Sequence, residues 1–371
     1  MIVVTVVLFI LPCWLLWAAW HRWSHTKLSN QPKPTDIQEK TMTSDKFQGL
    51  LLREVDGAIT ATVEMLQTSD LPDGDVTVRV EYSDLNYKDG MAITGIGHSR
   101  IAQFFPFIPG IDFAGIVEDS RSTRFAPGDR VVLTGWGVGE KWWGGHAQKA
   151  RVKAEWRVPL PEGMTTRSAM ALGTAGFSAM LCVDALDRHG IDRSREVLVT
   201  GAAGGVGSVS VMLLARLGYR VVASTGRAEE EDYLRGLGAE SVIARSELSA
   251  PSQPLLPERW AGVLDTVGSH TLATALAATV YDGAVAAIGL AAGRDLPTTV
   301  LPFIIRSVTL IGIDSVYCPT NRRQRAWQRL TELLPEGLPN QVVEEIGLSD
   351  LPARAAATIK GNTRGRLVVK V

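Results

Sequence analysis

The spacing of hydrophobic and polar positions changes twice along the chain. Between residues 48 and 161, short β-branched runs alternate with turn signals such as the PDG at 72–74. These runs are VTVRVEY (76–82), GIVEDS (115–120), RVVLTG (130–135) and QKARVK (148–153). Alternating positions in short runs are typical of strands that have one buried face. The sequence therefore predicts a β-rich region, folded as a partly closed barrel.

Near Thr165 the spacing becomes helical, and from Glu196 onward apolar runs alternate with helical stretches. The runs are EVLVT (196–200), RVVAS (220–224), AGVLDTV (261–267), AVAAIGL (284–290) and VTLIGI (308–313). Runs that are apolar on both faces predict a doubly wound parallel sheet covered by helices. A last run, RLVVKV at 366–371, is expected to return and pair with the β-rich region.

The N-terminal pattern differs from both. Residues 2–20 carry no charge and are long enough for one transmembrane helix, and Arg22 and Lys27 follow, which favours a cytosolic C-terminal side. Residues 24–41 are polar and contain Pro32 and Pro34, as expected of a linker. The alternative is that translation starts at Met42, so that the extension is not made. Both hypotheses leave the chemistry unchanged.

Composition excludes several classes of function. The chain has 371 residues, 46% of them apolar, and its 38 basic and 39 acidic residues give a formal net charge of -1, so nucleic acid is not an expected partner. Cys13, Cys182 and Cys318 form no CxxC pair, which argues against a disulfide framework and against a structural zinc site. A reducing compartment is expected, with Cys182 and Cys318 acting as small buried apolar residues.

A glycine-rich loop follows the first strand of the predicted parallel sheet. Gly201-Ala202-Ala203-Gly204-Gly205-Val206-Gly207 leads directly into the apolar helix SVSVMLLARLG. Glycines there permit a tight turn and a close approach of backbone N–H groups to a pyrophosphate at the helix N-terminus. Because the spacing is GxxGGVG, the strand before it and the helix after it carry the inference. The loop predicts a dinucleotide cofactor.

The next strand indicates which cofactor is bound. It ends Ser224-Thr225-Gly226-Arg227, where an NAD site would place an acidic residue against the ribose 2′-hydroxyl. Arg227 instead offers a forked cation to a 2′-phosphate, and Arg245 lies after the third strand. The sequence therefore favours NADP, although Arg227 as an ordinary surface residue is the competing interpretation.

Together these segments resemble the quinone oxidoreductase branch of the medium-chain dehydrogenase/reductase family, and within it the YhdH-type acrylyl-CoA reductases. The similar segments are SDLNYKDGMAITG (83–95), PFIPGIDFAGIVE (106–118), LTGWGVGEKWWGGHA (133–147), GTAGFSAMLCVDAL (173–186), VTGAAGGVGS (199–208), LDTVG (264–268) and LPTTVLPFIIR (296–306). The resemblance covers residues 47–371.

The resemblance implies an α/β fold in which a GroES-like β-rich catalytic domain joins a Rossmann doubly wound parallel sheet domain. The expected boundaries are 42–165 with 315–371 for the first and 166–314 for the second, after an extension at 1–41. Zinc-dependent relatives carry Gly-His-Glu where this chain has Gly110-Ile111-Asp112, and the cysteine ligands are also missing, so a metal-free enzyme is expected. A homodimer is expected from the resemblance alone.

The resemblance also implies a cofactor-binding set. Its members are Tyr87, Ala203, Gly204, Gly205, Val206, Thr225, Gly226, Arg227, Arg245, Leu290, Ile304, Ser315 and Asn362.

Hydride addition to the β-carbon of an enoyl thioester places charge on the carbonyl oxygen, which requires positioned donors and a proton source. Asn86 and Tyr87 are the predicted catalytic pair, an amide donor and a phenol. Tyr87 as a residue that only holds the cofactor, and protonation by solvent, are the alternatives. His98 and His146 are interpreted as ordinary loop residues.

The leading hypothesis is an NADPH-dependent reductase that converts acrylyl-CoA to propanoyl-CoA. The alternatives are an NADPH:quinone oxidoreductase or general enone reductase and, from another class, a membrane-tethered NADP-binding module with little turnover. Arg322, Arg323 and Arg325 form a basic cluster, interpreted as a solvated helix face, with contact to the phosphates of coenzyme A as the alternative.

Overall fold

The protein, described by a computed structural model over residues 45–96 and 101–371, contains two large sheets of different kinds. The predicted apolar run at 2–20, the linker at 24–41 and His98 lie outside these described residues.

The first half of the chain is rich in strands. A hairpin is followed by strands that bury apolar residues, as in β3, where Val76, Val78 and Val80 enter a core with Phe113. The strands are β1 (Lys46–Val55), β2 (Ala58–Gln67), β3 (Val76–Leu85), β4 (Asp112–Ser120), β5 (Arg130–Thr134), β6 (Lys149–Val152) and β7 (Val158–Pro159). One helix interrupts them, α1 (Tyr87–Thr94).

The middle of the chain forms a parallel sheet of six strands. They are β8 (Glu196–Val199), β9 (Arg220–Thr225), β10 (Ser241–Ala244), β11 (Trp260–Asp265), β12 (Thr279–Ala287) and β13 (Thr309–Gly312). Their order is β10-β9-β8-β11-β12-β13, in which the order reverses beside β8 as in a doubly wound sheet. The carboxyl ends of these strands therefore share one edge, where ligands bind in open α/β sheets.

Helices precede, connect and follow the strands of this sheet. They are α2 (Thr166–His189), α3 (Gly205–Arg216), α4 (Glu231–Gly236), α5 (Ser246–Ser249), α6 (Ser269–Ala277), α7 (Leu301–Arg306), α8 (Thr320–Leu333) and α9 (Leu351–Ile359). Within the described part of the chain, α2 is the one helix that is long and apolar enough to span a bilayer, but 89% of its most apolar stretch is buried. It is therefore a core helix, which packs on α3, α8 and the first sheet.

The chain then returns to the first sheet. The strands β14 (Val343–Gly347) and β15 (Arg366–Lys370) pair in parallel, and β15 pairs antiparallel with β3. The resulting seven-stranded sheet has the order β14-β15-β3-β4-β5-β7, with β6 also paired to β3. The predicted fold class, an α/β fold that combines a GroES-like region with a Rossmann sheet, is confirmed. The exact domain boundaries stay a prediction.

Candidate active site

The glycine-rich loop lies at the carboxyl end of β8. It turns at Gly201, whose φ is +60°, and α3 begins at Gly205. A Cβ atom at Gly207 would lie 2.6 Å from the Cα of Ala202, so only glycine lets the helix pack this closely on the turn. A Cβ at Gly204 would approach only the Gly201 carbonyl oxygen, at 3.3 Å, which leaves that face of the loop open. Because the first N–H groups of a helix lack helical partners, the arrangement of the loop and α3 suits a pyrophosphate.

Three arginines surround the end of β9. The Arg227 guanidinium donates to the carbonyl oxygens of Ala203 and Thr363, each at 3.3 Å. A Cβ atom at Gly226 would lie 2.8 Å from Cζ of Arg245, so the Arg245 guanidinium rests against this glycine. Arg364, which the sequence prediction missed, lies 3.3 Å from Glu230.

These side chains leave a net positive charge beside the loop. Glu230 is the acidic partner of both Arg227 and Arg364, with Nη1 of Arg227 at 3.5 Å from its Oε1 atom. Three guanidinium groups and one carboxylate suit a phosphate better than an uncharged ribose hydroxyl.

The remaining predicted cofactor residues differ in how close they lie to the glycine-rich loop. Leu290 and Ser315 follow β12 and β13, so they lie at the same edge as the loop, and Asn362 precedes Thr363, which contacts Arg227. Ile304 is on α7 and is 71% exposed.

Tyr87 begins α1 and is 45% exposed. The helix is fixed at its base by Asp89, which accepts hydrogen bonds from the backbone N–H groups of Asn86 (2.8 Å) and Ile111 (2.9 Å). Burial raises the pKa of Asp89 to about 7. Lys88 makes an ion pair with Glu140 at 2.9 Å. Tyr87 is therefore a phenol with an accessible surface on a well-held backbone.

The side chain of Asn86 is not free to act as the predicted amide donor to a substrate. Its Nδ2 atom donates to Asp84 Oδ1 and Asp112 Oδ2, both at 2.9 Å, and its Oδ1 atom accepts from Arg366 at 3.2 Å. Both amide hydrogens are occupied by protein groups. This arrangement favours Asn86 as a residue that positions Tyr87 over one that donates to a substrate.

Comparison with known proteins places the chain in a family. Residues 72–162 match the alcohol dehydrogenase GroES-like domain, and residues 205–334 match the family described as zinc-binding dehydrogenase. A protein of Escherichia coli K-12 named probable acrylyl-CoA reductase AcuI is 54% identical over 326 residues, which are 88% of this chain and 100% of that protein. The chain belongs to the medium-chain dehydrogenase/reductase family.

Solved structures of this family agree in fold. The YhdH oxidoreductase of Salmonella enterica, in complex with NADP, has a TM-score of 0.84 and 52% identity, over 87% of this chain and 99% of its own. Bacillus subtilis YhfP, with NAD bound, has a TM-score of 0.84 and 40% identity, over 88% of this chain and 100% of its own. The predicted family is confirmed, and both cofactors occur among its structures.

One matched family is described as zinc-binding, which raises the question of metal ligands in this medium-chain dehydrogenase/reductase. The resemblance places Ile111 where zinc-dependent members carry histidine, and this residue is buried. Across residues 45–96 and 101–371, no group of three His, Cys, Asp or Glu side chains is arranged to hold a metal ion.

The prediction for the arginine cluster is wrong at one position. Arg323 is 1% exposed, and it donates to Thr134, Ser315 and Val316. It is therefore neither a solvated residue nor free to contact coenzyme A. Arg325 is exposed, as predicted.

Three other residues that the sequence analysis discussed, His146, Cys182 and Cys318, are buried. His146 is fully buried with Nδ1 at 3.1 Å from Ser83 Oγ, and burial lowers its pKa to about 3, so the ring is neutral at neutral pH. Cys182 and Cys318 are both buried, as predicted.

Proposed function

We propose that this chain is a zinc-independent, NADPH-dependent reductase that adds hydride to the activated C=C bond of acrylyl-CoA and yields propanoyl-CoA. The observation that carries the proposal is the match, over the full length of the relative, to a protein named as an acrylyl-CoA reductase. The loop at 201–207 and the arginines around β9 supply the cofactor site that this activity requires.

The residues of this chain distinguish between the two cofactors seen in its relatives. Arg227 and Arg245 flank Gly226, where an NAD site would present a carboxylate to the ribose. The acid that pairs with these arginines, Glu230, is 6% exposed and already contacts both Arg227 and Arg364. A 2′-phosphate would find cations here, which supports NADP.

When bound, NADPH supplies the hydride. The chain contributes the pyrophosphate site at the start of α3, which orients the cofactor, and the phenol of Tyr87, which is accessible at the start of α1. Hydride addition to the β-carbon moves charge to the thioester oxygen. We assign the Tyr87 hydroxyl as the donor to that oxygen, and the α-carbon then takes its proton from Tyr87 or from solvent.

The activity test compares acceptors for the full-length chain by following NADPH absorbance. We expect acrylyl-CoA to give a much larger kcat/KM than a simple quinone, and Tyr87→Phe to lower kcat by about 100-fold, the usual contribution of a positioned proton donor. Tyr219→Phe is the matched control, because this phenol donates to Asp187 away from the loop.

Other outcomes have definite meanings. A preference for the quinone would make the chain a quinone reductase on the same fold. Tight NADPH binding without turnover on any acceptor would instead support the binding-module hypothesis. An unchanged kcat for Tyr87→Phe would leave Tyr87 as a residue that only holds the cofactor.

We also propose that the described part works in the cytoplasm as a homodimer and that, if the extension at 1–41 is made, it is attached to a membrane through residues 2–20. The strand β13 is an edge of its sheet, and exposed apolar side chains lie near it, namely Tyr281, Val300, Ile304 and Ile305. Fractionation of cells that express the full chain should find it with the membranes, and sedimentation in detergent should give twice the chain mass. A soluble full-length chain would contradict the attachment, and sedimentation at the single-chain mass would contradict the dimer.

A further inference from the structure

A buried cluster of polar side chains lies beside Tyr87 and joins five segments of the chain. Its members, here called the buried cluster, are Asp84 of β3, Asn86 before α1, Asp112 of β4, Thr174 of α2 and Arg366 of β15. Asp84 and Asp112 are completely buried, and Arg366 is 3% exposed. Since no single element brings these residues together, the cluster depends on the tertiary fold.

Asp112 links the first sheet to α2. The helix is interrupted at Gly173, whose φ is +50° and whose ψ is -153°, so the backbone N–H of Thr174 points out of the helical ladder. Asp112 accepts this N–H and the Thr174 hydroxyl, both at 2.6 Å. A Cβ atom at Gly173 would lie 2.8 Å from Arg366 Nη2 and would collide with the Asp84 carboxylate. The break in α2 at Gly173 therefore leaves room for the Asp84 and Arg366 side chains and frees the Thr174 N–H to donate to Asp112.

Arg366 holds three segments at once. Its Nε atom donates to the Ala171 carbonyl oxygen at 2.9 Å, Nη1 donates to Asn86 Oδ1, and Nη2 pairs with Asp84. A Cβ atom at Gly205 would lie 3.1 Å from Nη1. One guanidinium thus contacts the residue before Tyr87 and lies against the first residue of the cofactor helix.

The charges of the cluster fix the direction in which Asn86 points. Asp84 and Asp112 face Arg366 from the cluster itself, and Asp89 of α1 and Arg323 of α8 are the neighbouring charged groups. Burial and the Asp112 charge raise the pKa of Asp84 well above its ordinary value. With acceptors on one side and a guanidinium on the other, only one orientation of the Asn86 amide satisfies its partners.

We propose that Arg366 and Thr174 are positioning residues for hydride transfer, which act through Asn86 and Asp112 to hold Tyr87 at a fixed place relative to the cofactor loop. The inference rests on the proposed function, in which NADPH binds at this loop. A small displacement of reacting groups lowers a rate steeply, by about 100-fold for about 1 Å. The loss should therefore fall on the hydride-transfer step, with little effect on cofactor affinity.

The test measures two quantities on the full-length enzyme, the NADPH dissociation constant by fluorescence and the single-turnover rate of NADPH oxidation by acrylyl-CoA. Arg366→Lys keeps the charge but lacks the fork that reaches three segments. We expect its rate to fall by about 100-fold while its NADPH dissociation constant changes by less than about threefold. Thr174→Val removes one hydroxyl at a partly exposed position and should reduce the rate by about 10-fold.

Thr174→Ser is the matched control, because it restores the hydroxyl donor to Asp112 and should return the rate to near the wild-type value. If Arg366→Lys does not fold, the Thr174 pair decides the matter alone. Rates within threefold of wild type for Thr174→Val, and for Arg366→Lys where it folds, would overturn the inference. A raised NADPH dissociation constant with an unchanged single-turnover rate would also overturn it. A wild-type enzyme with no turnover on acrylyl-CoA would instead mean that the proposed function has failed.

Discussion

Arg323→Ala is expected to lower the free energy of unfolding by about 3 to 5 kcal/mol, the range for removing a large, fully buried side chain. The guanidinium carbon lies 4.7 Å from the ring centre of Phe177 and 5.3 Å from that of Trp136, so the change leaves a cavity. It also removes the donor to the Thr134 carbonyl oxygen, at 2.8 Å, and to the Ser315 carbonyl oxygen, at 3.1 Å. Buried acceptors without donors add to the cost.

Urea denaturation of the two neighbouring variants measures this difference. Arg325→Ala alters an exposed side chain on the same helix and should change the free energy of unfolding by no more than about 0.5 kcal/mol. Equal effects of the two substitutions would contradict the buried position of Arg323. Since burial lowers the pKa of Arg323 only to about 10, the group stays charged at neutral pH and needs all of these acceptors.

Arg227→Ala should raise the KM for NADPH by about 10- to 100-fold and change the KM for NADH by less than about threefold. The range follows from losing about 1.5 to 3 kcal/mol of charge-assisted hydrogen bonding to a 2′-phosphate that NADH does not have. Steady-state kinetics with each cofactor at a saturating acceptor concentration supplies the four KM values.

The contacts of Arg227 allow a second explanation, which the same measurement separates. Its hydrogen bonds to Ala203 and Thr363 also brace the loop, and loss of bracing would weaken both cofactors equally. Arg235→Ala is a suitable control, because this arginine pairs with Glu231 on the exposed side of α4. Equal changes for NADPH and NADH would remove the argument for the 2′-phosphate.

Local patterns were enough to predict where the glycine-rich loop and the end of β9 lie in the fold. The strand, the GxxGGVG loop and the helix are consecutive in sequence, so their geometry follows from short-range rules. The end of β9 is similarly local, and Thr225, Gly226 and Arg227 lie beside the loop as expected.

The buried cluster could not be predicted in the same way. Asp84 and Arg366 are 282 positions apart, and no local sequence motif around either residue predicts that the two contact each other. The signals were an acid inside the apolar segment PGIDFAG and the glycine in GTAG. These signals indicate a buried carboxylate at Asp112 and an unusual backbone conformation at Gly173. They do not indicate that these two positions lie in contact. For Arg323, helical spacing alone did not reveal that its face of α8 packs on Phe177.

The position of β15 between β14 and β3 also determines which sheet can be completed first during synthesis on the ribosome. All six strands of the parallel sheet have been made by Gly312, so that sheet can form while the chain is still growing. The strand β15, which pairs with Tyr82–Leu85 of β3, emerges much later, and until then this part of the β3 edge is open and can pair with other chains. A product truncated before Arg366 would therefore retain every strand of the nucleotide-binding sheet, yet it would lack an assembled reductase site and present an exposed edge to chaperones.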